Sequence, residues 1–196
     1  MEFGLPKSSV AWLLVSYYLS TACFMLVAAH LGNALGRRKL ALLGIFIDLV
    51  ALTSQFFMPS FWGLVGLRFL GGLGNSMVVT NLAPLTVRSF PDSNRGQVLG
   101  LLSVGLGIGA VVSAPVAGIV ADNFGWRYVY LIVTIPYIAL LSGVYLFTKE
   151  SEELSAGSLS LRNFDYIGFI LITGFLFLLT IGLQGVGGSG FTVVSS

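Results

Sequence analysis

The stretch that decides the fold is HLGNALGRRKLALLG, residues 30–44. It places three consecutive cations, Arg37, Arg38 and Lys39, after an uncharged run over residues 8–29 and directly before a second apolar run. Three cations on their own are common on exposed loops of soluble proteins. A short basic connection between two long uncharged runs is instead typical of the loop between two membrane-spanning helices.

The composition of the whole chain supports a membrane protein. Of its 196 residues, 56% are hydrophobic and 9% are charged, and the mean hydropathy is +0.92. Ordinary soluble domains contain about 25% charged residues. A water-soluble globular fold is therefore excluded, and the small net charge of +2 gives no reason to expect a nucleic-acid partner.

Long uncharged runs divide the chain into about six segments. Each is close to the roughly 20 residues that a helix needs to cross about 30 Å of hydrocarbon. The predicted membrane-spanning helices are 10–30, 40–58, 62–87, 96–121, 127–148 and 165–187. The first five form an amino-terminal bundle over residues 1–148, a polar linker occupies 149–164 and a polar tail occupies 188–196. The predicted fold class is an all-α integral membrane protein.

The basic residues are unevenly distributed among the predicted connections. Those after the first, third and fifth helices contain seven of the ten lysines and arginines, whereas the opposite side has only Lys7 and Arg127. Basic connections are found preferentially on the cytoplasmic side of a membrane. We therefore expect Arg37, Arg38 and Lys39 to face the cytoplasm, in a multi-pass protein of the plasma membrane.

The fourth predicted helix, residues 96–121, carries small side chains at every fourth position. They are Gly105, Gly109, Ser113, Ala117 and Ala121. Such a stripe lets two helix backbones approach closely in lipid, where packing contacts hold helices together. Pro115 removes one helical hydrogen bond and is expected to bend the helix. The pattern predicts a helix that packs closely against a neighbour.

The glycine-rich segments do not predict a nucleotide site. Residues 71–76 and 105–109 would need a preceding strand, a polar helix start and a ribose-binding acid, and the sequence has none of these. The single histidine, His30, and the single cysteine, Cys23, supply no metal-ligand set, no intrachain disulfide and no hydrolase motif. We expect no cofactor, no metal site and no enzyme activity.

Two charged residues fall inside predicted membrane helices, Arg68 in LVGLRFLGGLGNS and Asp48 in GIFIDLVAL. A charge near the bilayer centre costs at least roughly 2.5–3.5 kcal/mol, so such residues face a cavity or a partner. Counting along the helices places Arg68 about 9 Å from the outer end and Asp48 about 13 Å from the inner end. Both are candidates for a substrate and proton pathway. A cation that ties two helices together, and a hydrogen-bonded core acid, stay open as alternatives.

Two of these segments resemble motifs of the major facilitator superfamily. LGNALGRRK resembles the signature G-x-L-A-D-R-x-G-R-R, in which Gly36, Arg37 and Arg38 match and Asn33 replaces the acid. RFLGGLGNS resembles the motif R-x-x-Q-G-x-G-A, with matches at Arg68, Gly72 and Gly74 and with Gly71 where glutamine is common. The combination is more specific than either motif alone.

The later part of the chain resembles the drug:proton antiporters of that superfamily. GIGAVVSAPVAG is similar to their antiporter motif, with matches at Gly109, Pro115 and Gly118, and residues 164–187 resemble the extra seventh helix of the fourteen-helix type. The resemblance covers nearly the whole chain but only family helices two to seven. It therefore implies that the first helix and the second half of a full transporter are missing, as in a fragment or truncated product.

The resemblance implies a secondary transporter, with proton-coupled efflux of drugs or amphipathic organic compounds as the expected function. Its partners would be the lipid bilayer, a small organic substrate, protons and the missing helices. Arg68 and Asp48 would act in the pathway. The gating loop would comprise Gly32, Asn33, Gly36, Arg37, Arg38 and Lys39. An importer of a small organic solute and an inactive remnant of a transporter are the alternatives.

Overall fold

The computed structural model describes residues 7–148 and 166–193, and the predicted linker 149–164 lies outside them. The described residues form six α-helices and one short 3₁₀ helix, Asp92–Asn94. The helices are α1 (Lys7–Leu35), α2 (Arg37–Phe57), α3 (Phe61–Arg88), α4 (Arg95–Phe124), α5 (Trp126–Phe147) and α6 (Tyr166–Val193). The predicted all-α fold is confirmed, and α6 extends past the predicted end at residue 187.

Length and composition fit four of the described helices to a membrane. The segments long and apolar enough to span a bilayer are Trp12–Leu35, Arg37–Phe57, Asp92–Phe124 and Trp126–Leu146. Helix α3, predicted to span the membrane over residues 62–87, is not among them. A shorter apolar stretch, Ile167–Leu179, lies in α6. Large apolar side chains on α4 and α6, such as Leu106 and Ile167, are exposed. Such surfaces are suited to contact with lipid.

Helix α3 is central to the packing. It packs against both α1 and α2, which also contact each other, and α2 in turn contacts α5. Helix α5 contacts α4, and α1 contacts α6. The α3 backbone approaches both neighbours closely, because a Cβ atom added at Gly72 would lie 2.3 Å from the Tyr17 carbonyl oxygen and one at Gly74 2.7 Å from the Gly44 carbonyl oxygen. Glycines thus permit the central packing.

The connection between α1 and α2 is a single residue. Helix α1 continues to Leu35, α2 begins at Arg37, and Gly36 between them has a φ of 102°. The prediction of a gating loop over residues 30–39 is corrected accordingly, since most of that segment is helical. A glycine with positive φ redirects the chain within one residue, so no longer loop is required. Gly32 lies within α1 and not in the turn.

Polar side chains between α1 and α3 form hydrogen bonds to the backbone of the neighbouring helix. The Ser20 hydroxyl of α1 donates to the Phe69 carbonyl of α3 at 2.7 Å, and the Thr21 hydroxyl is shared between the Gly72 carbonyl at 3.1 Å and the carbonyl of Tyr17 in its own helix at 2.9 Å. Further along, the Asn81 amide donates to the Ala28 carbonyl at 3.2 Å. Such bonds connect helices where lipid offers no hydrogen-bonding alternative. They fix α1 against α3 beside the candidate site.

Candidate functional site

Asp48 of α2 is buried beside α1, α3 and α5. Its side chain is only 1% exposed, and the Tyr137 hydroxyl of α5 donates a hydrogen bond of 2.7 Å to its Oδ2 atom. On the α3 side it faces two glycines. A Cβ atom added at Gly71 would lie 2.9 Å from Asp48 Oδ1, and one at Gly74 would lie 3.2 Å from the Asp48 Cβ atom. The carboxyl group therefore occupies space that α3 leaves free.

Arg68 on α3 is surrounded by aromatic rings. Its guanidinium carbon lies 5.1 Å from the centre of the Tyr130 ring and 5.9 Å from that of Tyr17. Its Nη2 atom donates to the Tyr130 hydroxyl at 3.5 Å, and its buried Nε atom has no hydrogen-bond partner among the described residues. Aromatic faces stabilise a cation by about 0.5–2 kcal/mol each. This arrangement stabilises a cation within a largely apolar helix.

Tyrosines connect the two charged residues. Within the described chain, Arg68 and Asp48 form no direct ion pair, although Arg68 acts electrostatically on the carboxyl group. The Tyr17 ring lies beside Arg68, and its hydroxyl interacts with that of Tyr137, which donates to Asp48. Charged and polar groups from four helices therefore form one continuous cluster, which we call the Arg68–Asp48 cluster.

Sequence reasoning identified the two charges but missed Tyr17, Tyr130 and Tyr137. The sequence feature that could have identified them is a tyrosine side chain within an otherwise apolar run. Tyr130 and Tyr137 are also seven residues apart on α5, which places both on one helix face after two turns. The contact between this face and α2 or α3 depends on how the helices are arranged in the bundle. A single sequence does not encode that arrangement in any local pattern.

The cationic segment contains two separate contacts. The Arg37 guanidinium donates to the Asn33 side-chain oxygen at 2.6 Å, one helical turn earlier. The Arg38 guanidinium donates to the Tyr145 carbonyl at 2.8 Å and lies 5.8 Å from the centre of the Tyr145 ring. Arg38 therefore joins the start of α2 to the last turns of α5, whereas Lys39 is exposed.

The small-residue stripe of α4 lies on an open groove. Gly105, Gly109 and Ser113 line a groove of about 760 Å³ between α4 and the end of α3, and the Ser113 hydroxyl bonds within its own helix. Cβ atoms added at Gly105, Gly109 or Gly118 would meet nothing within 4 Å. Within the described chain the stripe has no partner helix, and its packing role stays a prediction. Pro115 lies inside α4 on an exposed turn.

Comparison with known proteins supports the resemblance to the major facilitator superfamily. A family model described as Major Facilitator Superfamily matches residues 1–196. One relative, the uncharacterized MFS-type transporter YwoD of Bacillus subtilis, is 29% identical over 91% of this chain and 40% of its own length.

Two further relatives carry names that state a substrate. The riboflavin transporter RibZ of Clostridioides difficile is 23% identical over 95% of this chain and 40% of its own length. The tetracenomycin C resistance and export protein of Streptomyces glaucescens is 25% identical over 90% of this chain and 32% of its own length. The chain thus spans about a third to two fifths of the length of these relatives.

Proposed function

This chain belongs to the major facilitator superfamily of membrane transporters, and from that premise we propose that it is part of a transporter that exports amphipathic organic compounds in exchange for protons. The site of action is the plasma membrane. Transport of this kind requires a binding site near the bilayer midplane and two alternating states of access, and it makes no covalent bond to the substrate. A relative whose name states the export of tetracenomycin C supports the direction of transport.

The observation that carries the proposal is the environment of Arg68. A cation inside a membrane helix is costly, and such residues mark substrate or ion pathways. Arg68 has two tyrosine rings around it and no carboxylate in direct contact among the described residues. Its charge is therefore stabilised and yet not neutralised. We assign to Arg68 the binding of the polar part of the substrate, next to aromatic faces suited to its apolar part.

Two other regions have assigned roles in alternating access. The Arg38 contact with Tyr145 and the Arg37 contact with Asn33 lie at the predicted cytoplasmic ends of α2, α5 and α1. We assign gating to this segment, because a hydrogen bond can break and reform as helices rock. For the α4 stripe we propose close packing against a helix of the complete transporter outside the described residues, which small side chains permit.

The test is transport by the full-length protein that contains this chain. The protein is reconstituted in liposomes with an imposed pH gradient and a fluorescent amphipathic compound. We expect gradient-driven accumulation, lost on Arg68→Ala and retained on Arg95→Ala, whose target is an exposed arginine that pairs with Asp92 at 2.8 Å. Full activity of the Arg68→Ala protein would contradict the assigned role.

Import of a small organic solute is the second candidate, and the likeness to a protein named as a riboflavin transporter favours it. The same liposomes separate the two directions. An exporter moves substrate against the direction of the proton gradient, whereas a proton-coupled importer moves it along that direction. Absence of transport in both orientations would identify an inactive remnant.

A further inference from the structure

The position of Asp48 depends on the missing side chain at Gly71. A Cβ atom at Gly71 would lie 2.9 Å from Asp48 Oδ1 and 3.6 Å from both Tyr17 Cε2 and Ala51 Cβ. Even an alanine at position 71 would therefore require the carboxyl group of Asp48 to shift. A larger side chain at that position would displace the carboxyl group further from its observed place.

Every helix packed against Asp48 contributes one group that acts on it. Tyr17 comes from α1, Arg68 from α3 and Tyr137 from α5. Only Tyr137 donates a hydrogen bond to the carboxyl group at short distance, while Arg68 acts on it from further away. A buried carboxylate in a direct ion pair with arginine would retain its charge. Asp48 has a tyrosine donor but no such pair among the described residues, so no direct ion pair holds its carboxyl group in the charged form.

We propose that Asp48 takes up and releases the proton that is exchanged for substrate, that Tyr137 positions its carboxyl group, and that Gly71 provides the space for it. The inference rests on the proposed function and adds the residue that binds the coupling ion. In the step itself a proton binds a carboxylate oxygen and converts a negative group into a neutral one. No other bond forms or breaks.

The neighbours give this step a consequence for substrate binding. When Asp48 is charged, its negative charge offsets part of the positive potential of Arg68, which lies beside the Tyr17 ring. With Asp48 protonated, the cluster carries more positive charge and repels a cationic group of the substrate. The proton and a cationic substrate then weaken each other's binding, as exchange requires, since each ligand changes the affinity for the other.

Infrared difference spectroscopy of the purified full-length protein between acidic and alkaline pH tests the proton site without any need for transport. We expect a carbonyl band from a protonated, buried carboxyl group that disappears in Asp48→Asn. In Tyr137→Phe the band should shift to higher frequency, because the carbonyl loses its hydrogen bond. Tyr128→Phe, at an exposed tyrosine of the same helix, is the matched control and should leave the band in place. A band that survives in Asp48→Asn would overturn the proposal.

The role of Gly71 is tested with a second pair of variants on α3. Gly71→Ala should shift the Asp48 band and reduce gradient-driven transport, whereas Gly66→Ala should not, because a Cβ atom there meets nothing within 4 Å. If Gly71→Ala reduces the yield of folded protein, the double variant Asp48→Ala with Gly71→Ala should restore it by removing the clash. A normal band and normal transport in Gly71→Ala would contradict the steric argument.

The two proposals fail in different ways. If the Asp48 band is present but no substrate moves in either direction, the proposed function fails and the proton site stands. If substrate follows the pH gradient at the full rate in Asp48→Asn, the transporter stands and the proton site fails. Coupling to sodium in place of protons, with no pH-dependent band, would also overturn the proton site.

Discussion

At the scale of single residues, aromatic rings stabilise the guanidinium of Arg68 inside α3. Tyr130 is the closer of the two rings, and its hydroxyl lies at 3.5 Å, the outer limit for a hydrogen bond. The ring therefore contributes more than the hydroxyl. Position 68 was identifiable from sequence, because a charge in an apolar run is conspicuous, whereas its partners became evident only from the packing of α1, α3 and α5.

Replacement of Tyr130 separates these contributions. Tyr130→Leu removes the cation–π contact and should destabilise the folded protein by about 0.5–2 kcal/mol beyond the loss of packing. Tyr130→Phe keeps the ring and is the matched control, with a smaller effect. Thermal unfolding of the detergent-solubilised protein measures both. Equal losses of stability for the two variants would show that the hydroxyl, and not the ring, stabilises Arg68.

Gly36 is the second residue with a testable role. Its φ of 102° with ψ of 126° is unfavourable for any side chain, so Gly36→Ala should cost about 1–3 kcal/mol in the free energy of unfolding. Gly143→Ala on α5 is the control, because it lies within a helix and a Cβ atom there meets nothing within 4 Å. A lower unfolding temperature for Gly36→Ala alone is expected. No difference between the variants would contradict the one-residue turn.

At the scale of elements, the orientation of the helices follows from the basic connections. Lys39, in the first turns of α2, is exposed and should face the cytoplasm. A cysteine introduced by Lys39→Cys should resist a membrane-impermeant thiol reagent in intact cells, whereas one introduced by Asp122→Cys, near the opposite end of α4, should react. The native Cys23 is buried and contributes little background. Labelling of position 39 from outside would show that the helices have the opposite orientation in the membrane.

The stripe of α4 has a different test, because it concerns a partner helix. Gly109→Leu in the full-length protein should impair transport or folding, since a large side chain prevents close approach of another helix. Gly107→Leu is the control, because position 107 lies roughly 200° around the helix from position 109, and a Cβ atom there also meets nothing within 4 Å. Comparable transport by the two variants would indicate that the stripe faces lipid.

At the scale of the whole molecule, the sequence predicted the helices well and the contacts between them poorly. Long apolar runs must become helices in lipid because every backbone polar group needs an internal partner. The connection over residues 30–39 was predicted to be longer than it is, because a single glycine with positive φ suffices to turn the chain between two helices. Tyr17 and Tyr137 were missed because their contacts join separate helices. The side chains that form the cluster were thus predictable in part, and its geometry was not.

The central claim is that substrate and protons are exchanged through the Arg68–Asp48 cluster. The most direct measurement follows the internal pH of liposomes that contain the full-length protein, when an amphipathic substrate gradient is imposed without any initial pH difference. The account predicts proton movement opposite to the substrate, abolished by Arg68→Ala and by Asp48→Asn and retained in Arg95→Ala. Substrate movement with no change in internal pH would contradict the account.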